Sequence, residues 1–212
     1  MAEIKQIVLD LGGVIIDLDY NRSITSFEQL GIVDFSTSFT KKEQASFFDA
    51  FDKGHISPTE FRNEVRKLCP EPLSDAEIDS AWNSMLIGFP KHRLEFIRQL
   101  SGSYPLYLLS NTNEIHVSAF TQMLDADPDL SDFLGFFNKT YYSCRIGMRK
   151  PDSEIFNFVL EDNSIIAKDT LFIDDSPQHV HGAASSGYRS VHLDLDKGDT
   201  LEKMLPKLLS NG

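Results

Sequence analysis

Along most of the chain, short apolar runs that close on polar residues alternate with longer amphipathic stretches. The first run, residues 4–9, closes on Asp10, and Gly12 and Gly13 follow almost at once. That pattern predicts a buried strand followed by a sharp backbone turn. Residues 14–18 predict a second short strand, the far arm of a hairpin through Gly12-Gly13. Residues 21–100 then carry almost no strand pattern. Thr40 with Glu43, Ser57 with Glu60 and Ser74 with Glu77 each match the hydroxyl-x-x-Glu signature of a helix start, and Pro58 falls in a first turn. Three such matches in under forty residues predict a compact helical module. After about residue 103, strands at 104–109, 139–142, 170–173 and 189–193 alternate with helices at 113–125, 152–161, 177–186 (closed by Gly187) and 199–209. This alternation predicts an α/β fold, a Rossmann-like parallel sheet with helices on both faces, interrupted after its first strand by a helical insertion. The predicted division assigns residues 1–18 and 92–212 to the core and 19–91 to the insertion.

Composition narrows the partners. The 212 residues are 41% hydrophobic, enough for a core domain with an inserted module. The net charge is −12, and the one basic cluster is Lys41-Lys42, which argues against a nucleic-acid partner. No apolar stretch has the length of a membrane helix, and the N-terminus does not read as a cleavable leader. Cys69 and Cys144 have neither metal-site nor disulfide-framework spacing. The expectation is a cytoplasmic monomer or small homo-oligomer, with Cys144 acting as a small buried hydrophobe.

Three strands end in polar residues: Leu9-Asp10, Leu109-Ser110-Asn111-Thr112 and Ile173-Asp174-Asp175. In a parallel sheet these tips share one edge, where open α/β sheets bind ligands. A fourth element, Gly147-Met148-Arg149-Lys150-Pro151, puts a lysine in a loop before a helix. Together they suit phosphoryl transfer. A carboxylate at Asp10 attacks phosphorus and forms an acyl phosphate. Because carboxylate and phosphate repel, a divalent cation such as Mg²⁺ is needed between them, with Asp174 or Asp175 supplying a further oxygen ligand. Ser110 and Asn111 can donate to phosphate oxygens, and Lys150 can neutralise the remaining charge.

These residues resemble the motifs of the haloacid dehalogenase superfamily: Asp10 with Leu11-Gly12-Gly13-Val14, then Ser110, Lys150 and Asp174-Asp175. The resemblance spans the chain and implies a C1-type helical cap inserted after the first motif. It also implies Asp10 as nucleophile and metal ligand, phosphate binding by Ser110 and Lys150, and a Mg²⁺ site completed by Asp174 and Asp175. Phosphatases of this superfamily mostly carry a second Asp two residues after the nucleophile as general acid and base. Here that position is Gly12, which offers a metal only its carbonyl. The stretch from Asp10 to Arg22 is similar to the opening of bacterial α-glucose-1-phosphate phosphatases of the superfamily, which also lack that Asp. The expectation is therefore a Mg²⁺-dependent phosphatase of a small phosphorylated metabolite, sugar phosphates favoured. Asp17 could act as acid through a water, and Arg22 or Asn21 could reach the substrate. His55, Arg62, Trp82 and Phe89 either line the pocket or pack the cap. The alternatives are a weak or inactive relative that binds phosphorylated ligands, or a phosphonate-cleaving or dehalogenase-type member. A signalling phospho-acceptor would have its acidic pair before the acceptor, the reverse of the order here.

Overall fold

The computed structural model describes residues 3–32, 35 and 46–210. Its centre is a five-stranded, all-parallel sheet in the order β5-β4-β1-β6-β7. The strands are β1 (Gln6–Leu9), β4 (Leu106–Ser110), β5 (Lys139–Tyr142), β6 (Thr170–Asp174) and β7 (Arg189–His192). Strand β1 is central: Leu9 is in register with Leu108 on one side and Ile173 on the other. Successive side chains alternate between the faces. Ile7, Leu9, Leu106, Leu108, Leu171 and Ile173 pack into one apolar cluster, and Val8, Tyr107, Leu109 and Phe172 pack into another. Burial on both sides is why these strands read as unbroken apolar runs.

Helices α5 (Lys91–Ser101), α6 (Glu114–Asp125) and α10 (Leu201–Ser210) supply buried residues to the first cluster. Helix α8 (Ser153–Asn163) and Ala183 of α9 (Pro177–Ser185) supply the second. The predicted alternation of strands and helices is thus observed from residue 106 onward. The one-turn helix α7 (Ser143–Ile146) has too little sequence to carry a periodic signal.

The predicted hairpin arm at 14–18 is different in the structure. Val14, Ile15 and Ile16 are buried in a tight turn, with the amides of Ile15 and Ile16 donating to the Leu11 carbonyl at 2.8 and 2.9 Å. Apart from an isolated bridge between Gly12 and Ile16, their apolar run reflects full burial rather than strand pairing. The two residues that do pair, β2 (Asp17–Leu18), lie antiparallel to β3 (Leu86–Gly88), a strand within the stretch expected to be helical. The chain therefore leaves for the helical segment and returns from it along one two-stranded ribbon.

Between β2 and β3 run α1 (Tyr20–Gln29), α2 (Ser46–Asp52), α3 (Pro58–Arg66) and α4 (Asp75–Asn83). The capping boxes at Ser57 and Ser74 both form, each serine accepting from the glutamate amide three residues on. The Thr40–Glu43 match and Lys41-Lys42 lie outside the described residues. An aromatic cluster holds this segment: Phe61 stacks on Phe51 at 4.3 Å and lies 5.9 Å from Phe48 and 5.2 Å from Trp82 between ring centres. Among the described residues no helix is long and apolar enough to cross a membrane.

Phe61 is fully buried in that cluster. Phe61→Ala is expected to lower unfolding stability by about 3–5 kcal/mol, through lost burial and an unfilled cavity. Urea denaturation measures it, and Phe61→Leu should cost clearly less.

Candidate active site

The sheet register brings three polar strand ends together. Asp10 follows β1, Ser110 ends β4 and Asp174 ends β6, and the Asp10 amide donates to the Ile173 carbonyl at 3.0 Å. Lys150 comes to this edge from the loop between α7 and α8. Asn111 fixes that loop: its side-chain oxygen accepts from the Lys150 amide at 2.9 Å, and its Nδ2 donates to the Lys150 carbonyl at 2.8 Å.

The Lys150 ammonium is completely buried. Its Nζ donates to Asp10 Oδ1 at 2.7 Å, Asp174 Oδ2 at 2.6 Å and the Leu109 carbonyl at 2.8 Å. All three ammonium protons thus have acceptors. Asp174 also accepts from the Ser176 amide at 2.8 Å and lies 3.0 Å from His179 Nδ1. Burial works against ionisation of Asp174, but Lys150 and His179 outweigh it and hold the carboxyl below its usual range. Burial raises Asp10, with Lys150 opposing and Asp174 adding to the rise. Asp175 is raised by burial and by its neighbour Asp174.

Oxygens of Asp10, Asp174 and Asp175 all lie within 4.8 Å of one another. Three carboxylates thus gather about one ammonium that bonds two of them, an excess of negative charge that suits a hard divalent cation. Gly13 makes room for the third. Its φ is +69°, and a Cβ there would lie 2.3 Å from Asp175 Oδ2.

Asp10 opens into a cavity of about 570 Å³. Gly12, Ser110, Asn111, Asp175 and His179 line it on the sheet side, and Leu18, Phe48, Asp49, Asp52 and Trp82 line it from the helical segment and the strand leading to it. Several contacts among the described residues join the two sides. Arg149 donates to Asp49 at 2.5 Å, Asn113 Nδ2 donates to Asp52 Oδ1 at 3.1 Å, and Gly54 lies directly against the Cys144 carbonyl, where a Cβ would come within 1.9 Å. Trp82 stacks on His116 at 4.9 Å. Burial pushes the His116 pKa down to about 3, so its ring is neutral at ordinary pH.

Two expected residues fall elsewhere. Arg22 is exposed on α1 and does not line the cavity, because Ser23 and Phe27 face inward on that helix. Asp17 is likewise absent from the lining: its carboxylate accepts from Arg93 at 2.8 Å. His55 is exposed, Arg62 is held by Asp79 at 2.7 Å, and Phe89 packs near Phe133, while Trp82 does line the pocket. The sequence reading did not single out Asp49, Asp52, Asn113, Arg149 or His179. Arg149 is next to Lys150, and His179 follows Asp174 across one helix start, so proximity to the motifs was their available signal. Asp52 had none, since it lies in a different part of the sequence. Cys144 is half-buried, and burial pushes its thiol up to about 12, which leaves it protonated and inert.

A parallel α/β sheet with a buried carboxylate–lysine–carboxylate cluster at its strand tips, beneath a cavity roofed by an inserted helical segment, defines a class of hydrolase. The chain belongs to the haloacid dehalogenase-like hydrolases, whose family model matches residues 4–187. A D-ribitol-5-phosphate phosphatase of Bacteroides thetaiotaomicron is 34% identical over 189 residues, covering 88% of this chain and 90% of that protein. The crystal structure of a haloacid dehalogenase family enzyme from the same organism superposes with a TM-score of 0.88 at 35% identity, covering 96% of this chain and 99% of the other. An Asp→Ala variant of that enzyme, in complex with magnesium and inorganic phosphate, gives a TM-score of 0.87 at 34% identity, covering 95% and 98%. A predicted hydrolase of the family from Porphyromonas gingivalis gives 0.85 at 30% identity, covering 98% and 97%.

Removing the ammonium leaves two carboxylates buried without their shared partner. Lys150→Met is expected to destabilise the fold by about 3–5 kcal/mol, read from urea unfolding without added metal.

Proposed function

We propose that this protein is a Mg²⁺-dependent phosphatase of a small phosphorylated metabolite, with polyol and sugar phosphates favoured, working through an aspartyl phosphate on Asp10. The observation that carries this reading is the buried cluster of Asp10, Lys150, Asp174 and Asp175 at the floor of a cavity sized for a small metabolite. The D-ribitol-5-phosphate phosphatase relative supports the substrate class, and the related magnesium and phosphate complex supports the cofactor.

Asp10, Asp174, Asp175 and the Gly12 carbonyl would hold Mg²⁺. When bound, the metal supplies positive charge that screens the phosphate from Asp10 and polarises the phosphoryl group. Lys150 holds Asp10 in place and opposes the burial that favours protonation of its attacking oxygen. Ser110 at the β4 tip donates to a phosphoryl oxygen. Asn111, with both ends of its amide on the Lys150 backbone, acts chiefly as the clamp that positions the lysine. Residues 19–91 form a cap over the core of residues 1–18 and 92–212, and its mixed wall of aromatic and acidic side chains selects the rest of the substrate. A dehalogenase, which needs no metal, leaves the Asp174-Asp175 pair and its cation-suited geometry without a use.

Phosphate release from ribitol 5-phosphate, hexose 1- and 6-phosphates and an aryl phosphate tests this reading. Turnover is expected with Mg²⁺, to vanish with a chelator, and to be abolished in Asp10→Asn. Failure of every ester to turn over would sink it. Gly13→Ala forces a side chain onto the Asp175 carboxylate at a backbone angle that alanine rarely adopts. It is expected to weaken Mg²⁺ binding by at least about tenfold, on the scale set by losing support of a metal ligand. Isothermal titration with Mg²⁺ measures the change.

A further inference from the structure

Gly12 leaves the site without the side chain that would protonate a leaving alcohol, and the space beside it is filled. A Cβ on Gly12 would lie 2.7 Å from the Leu18 side chain. An alkoxide is a poor leaving group, so an alkyl phosphate needs a proton donor on the side of phosphorus away from the nucleophile. Asp10 attacks from the sheet, so the leaving oxygen points toward the helical segment.

Among the described cavity-lining residues, the proton carriers are few. Asp49 is tied as an anion to Arg149 at 2.5 Å and Lys53 at 3.2 Å. His116 is neutral, and its Nδ1 faces Asn83 at 2.9 Å. His179 sits on Asp174, and Asp175 belongs to the acidic trio. Burial and the surrounding carboxylates hold the proton on Tyr20. Asp52 remains. It enters the cavity from the last residue of α2, and one carboxyl oxygen is fixed by Asn113 Nδ2 at 3.1 Å. No bond to its other oxygen is formed by the described residues that face it.

We propose that Asp52 is the general acid and base of this enzyme, doing from the helical segment what Gly12 cannot do from the first motif. The assignment rests on the phosphatase reading above. In the first step Asp10 Oδ forms a bond to phosphorus, the bond from phosphorus to the ester oxygen breaks, and the Asp52 carboxyl proton passes to that oxygen to release the alcohol. In the second, water attacks the aspartyl phosphate, its proton returns to Asp52, and the bond from phosphorus to Asp10 breaks to give inorganic phosphate. Burial favours the protonated form that the first step needs. Asn113 and Arg149 pull against it and Asp49 adds to it, and the balance lies above the usual carboxylate range. Asn113 also caps α6 by accepting from the His116 amide at 3.1 Å, which fixes the group that orients Asp52.

The test compares three esters in wild type, Asp52→Asn and Asp52→Glu with Mg²⁺ present. They are ribitol 5-phosphate, ethyl phosphate (an alkyl ester without further hydroxyls) and 4-nitrophenyl phosphate, whose leaving group needs no proton. Asp52→Asn is expected to cut turnover of both alkyl esters by about 10²–10⁴-fold, the usual worth of a general acid. With the aryl ester it should keep a rapid first burst of nitrophenolate of near wild-type amplitude, followed by a slowed steady state. That burst also reports that the variant is folded. Asp52→Glu should recover part of the alkyl turnover. Loss confined to ribitol 5-phosphate would overturn the proposal and make Asp52 a hydroxyl-recognition residue. Equal loss on all three esters, burst included, would overturn it in favour of a structural role, as would no loss at all. A wild type inactive on every ester removes the phosphatase reading, and this assignment with it.

Discussion

Everything at the functional edge of this protein is arranged around one buried ammonium. Lys150 has no contact with solvent and lies among two carboxylates and a carbonyl, where an unpaired charge is untenable. Its presence lets Asp10 and Asp174 stand close together at neighbouring strand tips. Those tips are neighbours because β1, β4 and β6 pair in parallel register. The ammonium in turn depends on Asn111, whose amide grips the lysine's own backbone from the end of β4. Sheet register, loop position and site charge are thus a single constraint expressed at three scales.

The same constraint leaves an excess of negative charge at the sheet edge. One lysine does not balance Asp10, Asp174 and Asp175: burial raises Asp10 and Asp175, and the neighbouring Asp174 adds to the rise in both. Asp174, the fully buried member, takes most of the local hydrogen bonding. Asp175, beside Gly13, is left more open to the cavity.

Much of this was legible in the chain. Asp10, Ser110, Lys150 and Asp174-Asp175 were identifiable because each follows an apolar run or opens a helix, and a parallel sheet brings such ends together. The α/β order from residue 106 onward was legible for the same reason. The hairpin at 14–18 misled because Val14, Ile15 and Ile16 are apolar for burial in a turn, which resembles strand patterning locally. Strand β3 escaped because three residues carry no periodicity. Arg22 and Asp17 were placed by closeness in sequence to Asp10, whereas α1 turns the first outward and Arg93 draws the second away. Asp52, Asn113 and Arg149 meet across the cavity through tertiary packing alone. No spacing in the chain encodes a contact between residues 61 positions apart, such as Asp52 and Asn113.

The close approach of Gly54 to the Cys144 carbonyl has a mechanical consequence. The helical segment is anchored at one end by the β2–β3 ribbon and rests on the core, at Gly54, through bare backbone. Position 54 is therefore a spacer of no thickness. Any side chain there would bring its Cβ onto that carbonyl at a φ of +69°, and so would act as a wedge between the two halves at the position of the first side-chain carbon. The seating of the roof over the cavity thus depends on the absence of one carbon atom.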